Sequence, residues 1–131
     1  MASTILLVSG VVILAYGFIL GIPLAAVRMK APQAPRQLVT IHLSALIQAA
    51  VHIALASATG LIDLEAVWAN IAACLIVLAS VTELLGGTLN WLSNVEDQFA
   101  EKSRGFRLNA LVGPPAIAGV GILAVGVFRT I

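Results

Sequence analysis

A chain of 131 residues that is 60% hydrophobic and only 10% charged cannot hide its apolar surface in water, since a soluble domain carries roughly a quarter charged residues. The composition excludes a soluble globular enzyme and points to an integral membrane protein of one domain, 1–131, with the lipid bilayer as its solvent. The net charge is +1 and no basic patch suggests nucleic acid, so none is expected as a partner.

A helix needs about 20 apolar residues to span a bilayer, and four segments qualify: 4–27, 38–62, 67–92 and 108–128. The period-2 alternation of strands is absent. The expected fold is an all-α four-transmembrane-helix bundle. The first span lacks a basic n-region and its apolar core is too long for a cleaved leader, so it reads as a retained helix. Within it Gly17 and Gly21 form a GxxxG pair that lets helices approach closely, and Pro23 is expected to kink or end the helix.

Arg28, Lys30 and Arg36 follow span 1, and Lys102, Arg104 and Arg107 precede span 4, so six of the seven basic residues fall on one side. The positive-inside rule places loops 28–37 and 93–107 in the cytoplasm, with both termini outside. The bacterial inner membrane is the expected location. Loop 93–107 reads equally as a structured cap over the cytoplasmic mouth and as a solvated connector.

Span 2 holds His42, Gln48 and His52 in a run without Asp, Glu, Lys or Arg. On a wheel of about 100° per residue with His42 at 0°, Ser44, Ala45, Gln48, Ala49, His52 and Ala56 lie between about 200° and 340°. Most of the bulky aliphatics take the complementary arc, and Ile41 is the one bulky residue on the polar side. A face of small and polar residues is therefore expected to turn inward, with room beside it for something larger than a side chain.

Span 3 carries a second polar seam, Glu83, Gly87, Asn90 and Asn94, with Ser80 nearby. An intramembrane carboxylate is costly and functional by default; equally, Glu83 could pair with a span-2 histidine or stay protonated. Trp68 and Trp91 read as interfacial anchors at opposite ends of the span. The single cysteine, Cys74, excludes an internal disulfide and is expected to pack as a small buried hydrophobe. In span 4, "GPPAIAGVG" costs backbone hydrogen bonds, which lipid tolerates only where protein or water satisfies the freed carbonyls. That end of the span is expected to face the interior.

Several chemistries can use such seams. His42 and His52 stand ten residues apart, about 15 Å along a helix, too far to grip one zinc ion. A Ser/His nucleophile lacks an elbow and a third orienting acid. Haem suits the pattern better, since one imidazole suffices as proximal ligand and a flat macrocycle wants small residues beside it.

The residues also resemble a known family. "HLSALIQ", with His42 followed six residues later by the carboxamide of Gln48, then "GGTLNWLSN" and "ALVGPPA", resembles in order, spacing and four-span frame the small membrane isomerases that include styrene oxide isomerase and hydroxylaminobenzene mutase. The resemblance covers most of the chain. It implies a homotrimer with ferric haem b (heme b), His42 as axial iron ligand, Ala45 and Ala49 as the bed of the cofactor, and Gln48 and Asn90 as the catalytic pair that orients a small apolar aromatic substrate. His52, Glu83, Trp91 and Asn94 would support that site from behind. Gln stands here for the family's Asn, and Asn90 for its Tyr. The implied activity is redox-neutral isomerisation, aryl epoxide to aldehyde or arylhydroxylamine to aminophenol, with iron as Lewis acid. Two other readings compete: a b-type electron carrier with two axial histidines, and a non-enzymatic scaffold or transporter with Glu83 as its proton-coupled site.

Overall fold

The structure, a computed structural model, describes residues 1–131 and is all helical: α1 (Ala2–Arg28), α2 (Arg36–Ala58), α3 (Ala66–Leu92), α4 (Arg104–Asn109) and α5 (Gly113–Thr130). Four stretches are long and apolar enough to cross a membrane: α1, α2, α3, and α4 with α5 taken together. The first three match the expected spans to within a few residues.

α3 is the hub of the bundle. α1 lies along α2, both pack on α3, and α4 and α5 pack on the other side of α3. Small residues set these approaches. A Cβ at Gly17 would meet Ala45 and Leu46, and one at Gly10 would stand 3.1 Å from the Ala49 carbonyl. A Cβ at Gly87 would overlap the Ile41 side chain. Ile41 is accordingly buried and belongs to the inward face, where it packs with Leu20 and Leu38.

Three expectations are corrected. Pro23 does not end α1, which runs on to Arg28; Leu20 and Leu24 are packed with Leu38 and Ile41 and hold the last turns in place. The double proline of span 4 does not face the interior: Pro114 is exposed and a Cβ at Gly113 would meet nothing within 4 Å. Instead the prolines divide the span. Neither ring nitrogen can donate to the carbonyl four residues upstream, so Ala110 and Leu111 lose their helical donors and the chain breaks between α4 and α5. Cys74 is exposed on the outer face of α3, not buried in the core.

Of the two readings of loop 93–107, the structured cap is the one found. α3 ends with Asn94 in the left-handed region at φ 53°, a common way to stop a helix. Ser103 caps α4 by accepting from the Phe106 N–H at 3.0 Å. Asn90, 1% exposed, ties the loop down: its Nδ2 donates to Gln98 Oε1 at 2.9 Å and its Oδ1 accepts from Ser103 Oγ at 2.6 Å. Gln98 Oε1 also accepts from Asn109 Nδ2 at 3.3 Å. Phe99 and Phe106 pack edge to face with centroids 5.3 Å apart.

Candidate functional site

The polar residues of α2 divide into three environments. Buried positions Leu38, Ile41, Ala45, Ala49, His52 and Ala56 form its central stripe. His42 lies on the flank turned to α1, where Gly17 and Gly21 leave room for its ring. Gln48 lies on the flank turned to α3 and α5.

His42 Nδ1 is 2.9 Å from the Gly17 carbonyl. A carbonyl can only accept, so Nδ1 carries the proton and Nε2 the lone pair. Nε2 has no partner within the chain and is not among the buried unpaired atoms; it opens to the outside of the α1/α2 pair. A histidine whose Nδ1–H is held by a carbonyl and whose Nε2 is free is the usual form of a metal-ligating imidazole.

His52 is different. It is 1% exposed, its Nδ1 lies 2.8 Å from Ser9 Oγ, and its Nε2 lies 2.9 Å from Ser80 Oγ. Ser9 Oγ donates to the Leu6 carbonyl at 2.9 Å. In either tautomer of the ring, each nitrogen is paired with a serine hydroxyl. Both nitrogens are occupied, so His52 has no place for a metal and no bond to Glu83. Of the alternatives for Glu83, the pair with a span-2 histidine is therefore not the one found, since His42 Nδ1 is held by the Gly17 carbonyl and both His52 nitrogens by serines.

The expected cofactor bed is also corrected. Ala45 and Ala49 are 0% exposed because α1 covers them through Gly10, Ile13 and Gly17. Nothing larger than a side chain lies on them within the chain. Asn90 is spent on holding loop 93–107 rather than joined to Gln48, Asn94 is an exposed helix terminator, and Trp91 packs on the Leu20–Leu38–Ile41 cluster. The structure therefore brings neither Asn90 nor His42 to Gln48.

Gln48 is brought instead to Ser80 and Glu83. They line a cavity of about 130 Å³ between α2, α3 and α5, whose other walls include Ile76, Ala79, Val112, Ala116 and Val120. Gln48 Oε1 is buried and has no hydrogen-bond partner. Glu83 and Ser80 are legible as one polar seam of α3, but the burial of the alanine stripe, which separates the polar face of α2 into two, has no signature in a single sequence. No cluster of three His, Cys, Asp or Glu side chains capable of holding a metal ion is present, so any iron at His42 would take a single protein ligand from this chain.

No family model, no curated protein and no solved structure matches this chain.

Proposed function

We propose that the chain is a membrane-embedded, haem b-dependent isomerase that rearranges a small apolar aromatic substrate, an aryl epoxide or an arylhydroxylamine, without net redox change. The observation that carries this reading is His42, with Nδ1–H on the Gly17 carbonyl and Nε2 free on the outer flank. The carbonyl fixes the ring and raises the basicity of Nε2, which suits a proximal haem ligand.

When bound, ferric haem b supplies one open Lewis-acid position for the substrate oxygen. The chain supplies the rest. Its outer flank at α1 and α2 is apolar and excludes water, and an apolar substrate reaches it from the bilayer without crossing an aqueous phase. Gln48 faces the opposite flank of α2, so a carboxamide acting beside iron comes from a neighbouring chain. A homotrimer provides that neighbour, each chain giving its His42 flank to one partner and its Gln48 flank to the other. There the amide nitrogen of Gln48, which is not buried, orients the substrate oxygen by donating to it.

The two-histidine electron carrier is disfavoured by Ser9 and Ser80, which occupy both nitrogens of His52. The test is the absorption spectrum of the detergent-purified protein and of His42→Ala. A Soret band present in the native protein and lost in the variant is expected, with a five-coordinate ferric spectrum that shifts on adding an aryl epoxide or arylhydroxylamine. Absence of haem from both preparations overturns the reading.

A further inference from the structure

The cavity between α2, α3 and α5 presents hydrogen-bond acceptors where an apolar bundle has little reason to keep them. Glu83 projects from mid-α3 into a wall otherwise built of Ile76, Ala79, Val112, Ala116 and Val120. None of the residues around it is basic, and α5 has no cation before Arg129 at its far end. A carboxylate in a membrane span is normally paired or faces a polar path; this one has no partner from the chain.

The two polar side chains beside it are acceptors as well. Gln48 Oε1 is buried with no donor in reach, which costs about 1–3 kcal/mol when left unmet. Ser80 Oγ lies 2.9 Å from His52 Nε2, and whether it donates to that nitrogen or accepts from it, a hydroxyl oxygen keeps at least one lone pair for the cavity.

We propose that this cavity binds one small monovalent cation, an alkali ion of sodium size or a primary ammonium, held by the Glu83 carboxylate, Gln48 Oε1 and Ser80 Oγ. Hard oxygen donors with a single negative charge match such an ion. A volume of about 130 Å³ holds it with a few waters, each taking about 30 Å³. The site lies where the last span is interrupted, since Val112 from the α4–α5 break forms part of its wall; interrupted helices are a common setting for ion sites within membranes. Its three donors come from one chain and do not involve His42, so the site needs no haem; it shares only the Gln48 side chain with the isomerase reading, through the amide oxygen rather than the nitrogen.

The test uses the full-length protein in detergent, with no haem added. Binding of radioactive sodium, and thermal unfolding in sodium chloride against N-methylglucamine chloride at equal ionic strength, are measured together. Saturable binding of one sodium per chain is expected, with unfolding that shifts upward only in sodium. Glu83→Gln abolishes the binding, and Gln48→Leu and Ser80→Ala each weaken it at least ten-fold. Displacement of sodium by millimolar methylammonium identifies an organic ammonium as the occupant; failure of methylammonium to compete identifies the alkali ion. No saturable binding to the native protein, or binding that survives Glu83→Gln unchanged, overturns the proposal. Should Glu83→Gln not fold, unchanged affinity in both Gln48→Leu and Ser80→Ala does the same.

Discussion

Ser80 Oγ and Nε2 of His52 lie 2.9 Å apart and are both buried. Ser9 completes the chain on the other side of the ring at 2.8 Å, so one imidazole joins α1, α2 and α3. Hydrogen bonds of this kind within membrane bundles contribute about 1–2 kcal/mol at most. His52→Leu is expected to lower stability by that amount, read from reversible unfolding in mixed micelles. Ser9→Ala and Ser80→Ala share the same ring, so their costs should depart from additivity by more than about 0.5 kcal/mol. Strictly additive costs would show that the three residues do not act as a chain.

Gly87 and Gly105 are positions where a single methyl group has nowhere to go. A Cβ at Gly87 overlaps Ile41, and one at Gly105 overlaps the backbone carbonyl of Gly86. Overpacking costs about 1–3 kcal/mol. Gly87→Ala is expected at the lower end, because the isoleucine side chain can rotate, and Gly105→Ala at the upper end, because a backbone carbonyl cannot. Gly113→Ala and Gly121→Ala, open to space in the single chain, are the controls. Equal melting temperatures for all four variants would contradict the close approach of α3 to α2 and α4.

Asn90 should behave as a cap residue. Asn90→Ala leaves the Ser103 hydroxyl without its acceptor and Gln98 Oε1 with only the longer bond from Asn109, at a cost of about 1–3 kcal/mol. Amide exchange should quicken in residues 93–103 while α1 and α2 keep their protection. If exchange in that loop is unchanged, the cap is held by something other than Asn90.

The same loop should loosen in acid. Asp97 Oδ1 accepts from the Ala100 and Phe99 N–H groups at 3.1 and 2.9 Å, and these bonds hold its carboxyl below the usual range. A depressed carboxyl stabilises the folded loop above its unfolded value of about 4, and that contribution is lost as pH falls through the folded value. Protease nicking within 93–103 should therefore rise below pH about 4, and Asp97→Asn should flatten the dependence. A native loop indifferent to pH in that window would refute the role of Asp97.

The number and extent of the spans were legible because twenty-residue apolar runs leave few alternatives. The direction of α2 was legible in part: the wheel turned Ala45, Ala49 and His52 inward, and they are buried. It could not show what covers them. A helical wheel ranks positions by angle, whereas α1 touches α2 only because Gly10 and Gly17 stand at the matching height. His42 and Gln48 share an arc on paper and lie on opposite sides of the alanine stripe in space. Asn90 misled for a similar reason, since its partners Gln98 and Ser103 belong to a loop whose path no periodicity describes. Ile41 looked misplaced until Gly87 supplied the hollow that receives it.

The separation of His42 and Gln48 onto opposite flanks has a genetic consequence under the proposed reading. Each chain would complete two different sites with half of its equipment, so a lesion on one flank leaves the other serviceable. Two inactive alleles, His42→Ala and Gln48→Ala, should then restore function when expressed together. Random mixing in equal amounts makes about one interface in four intact, whereas either allele alone makes none.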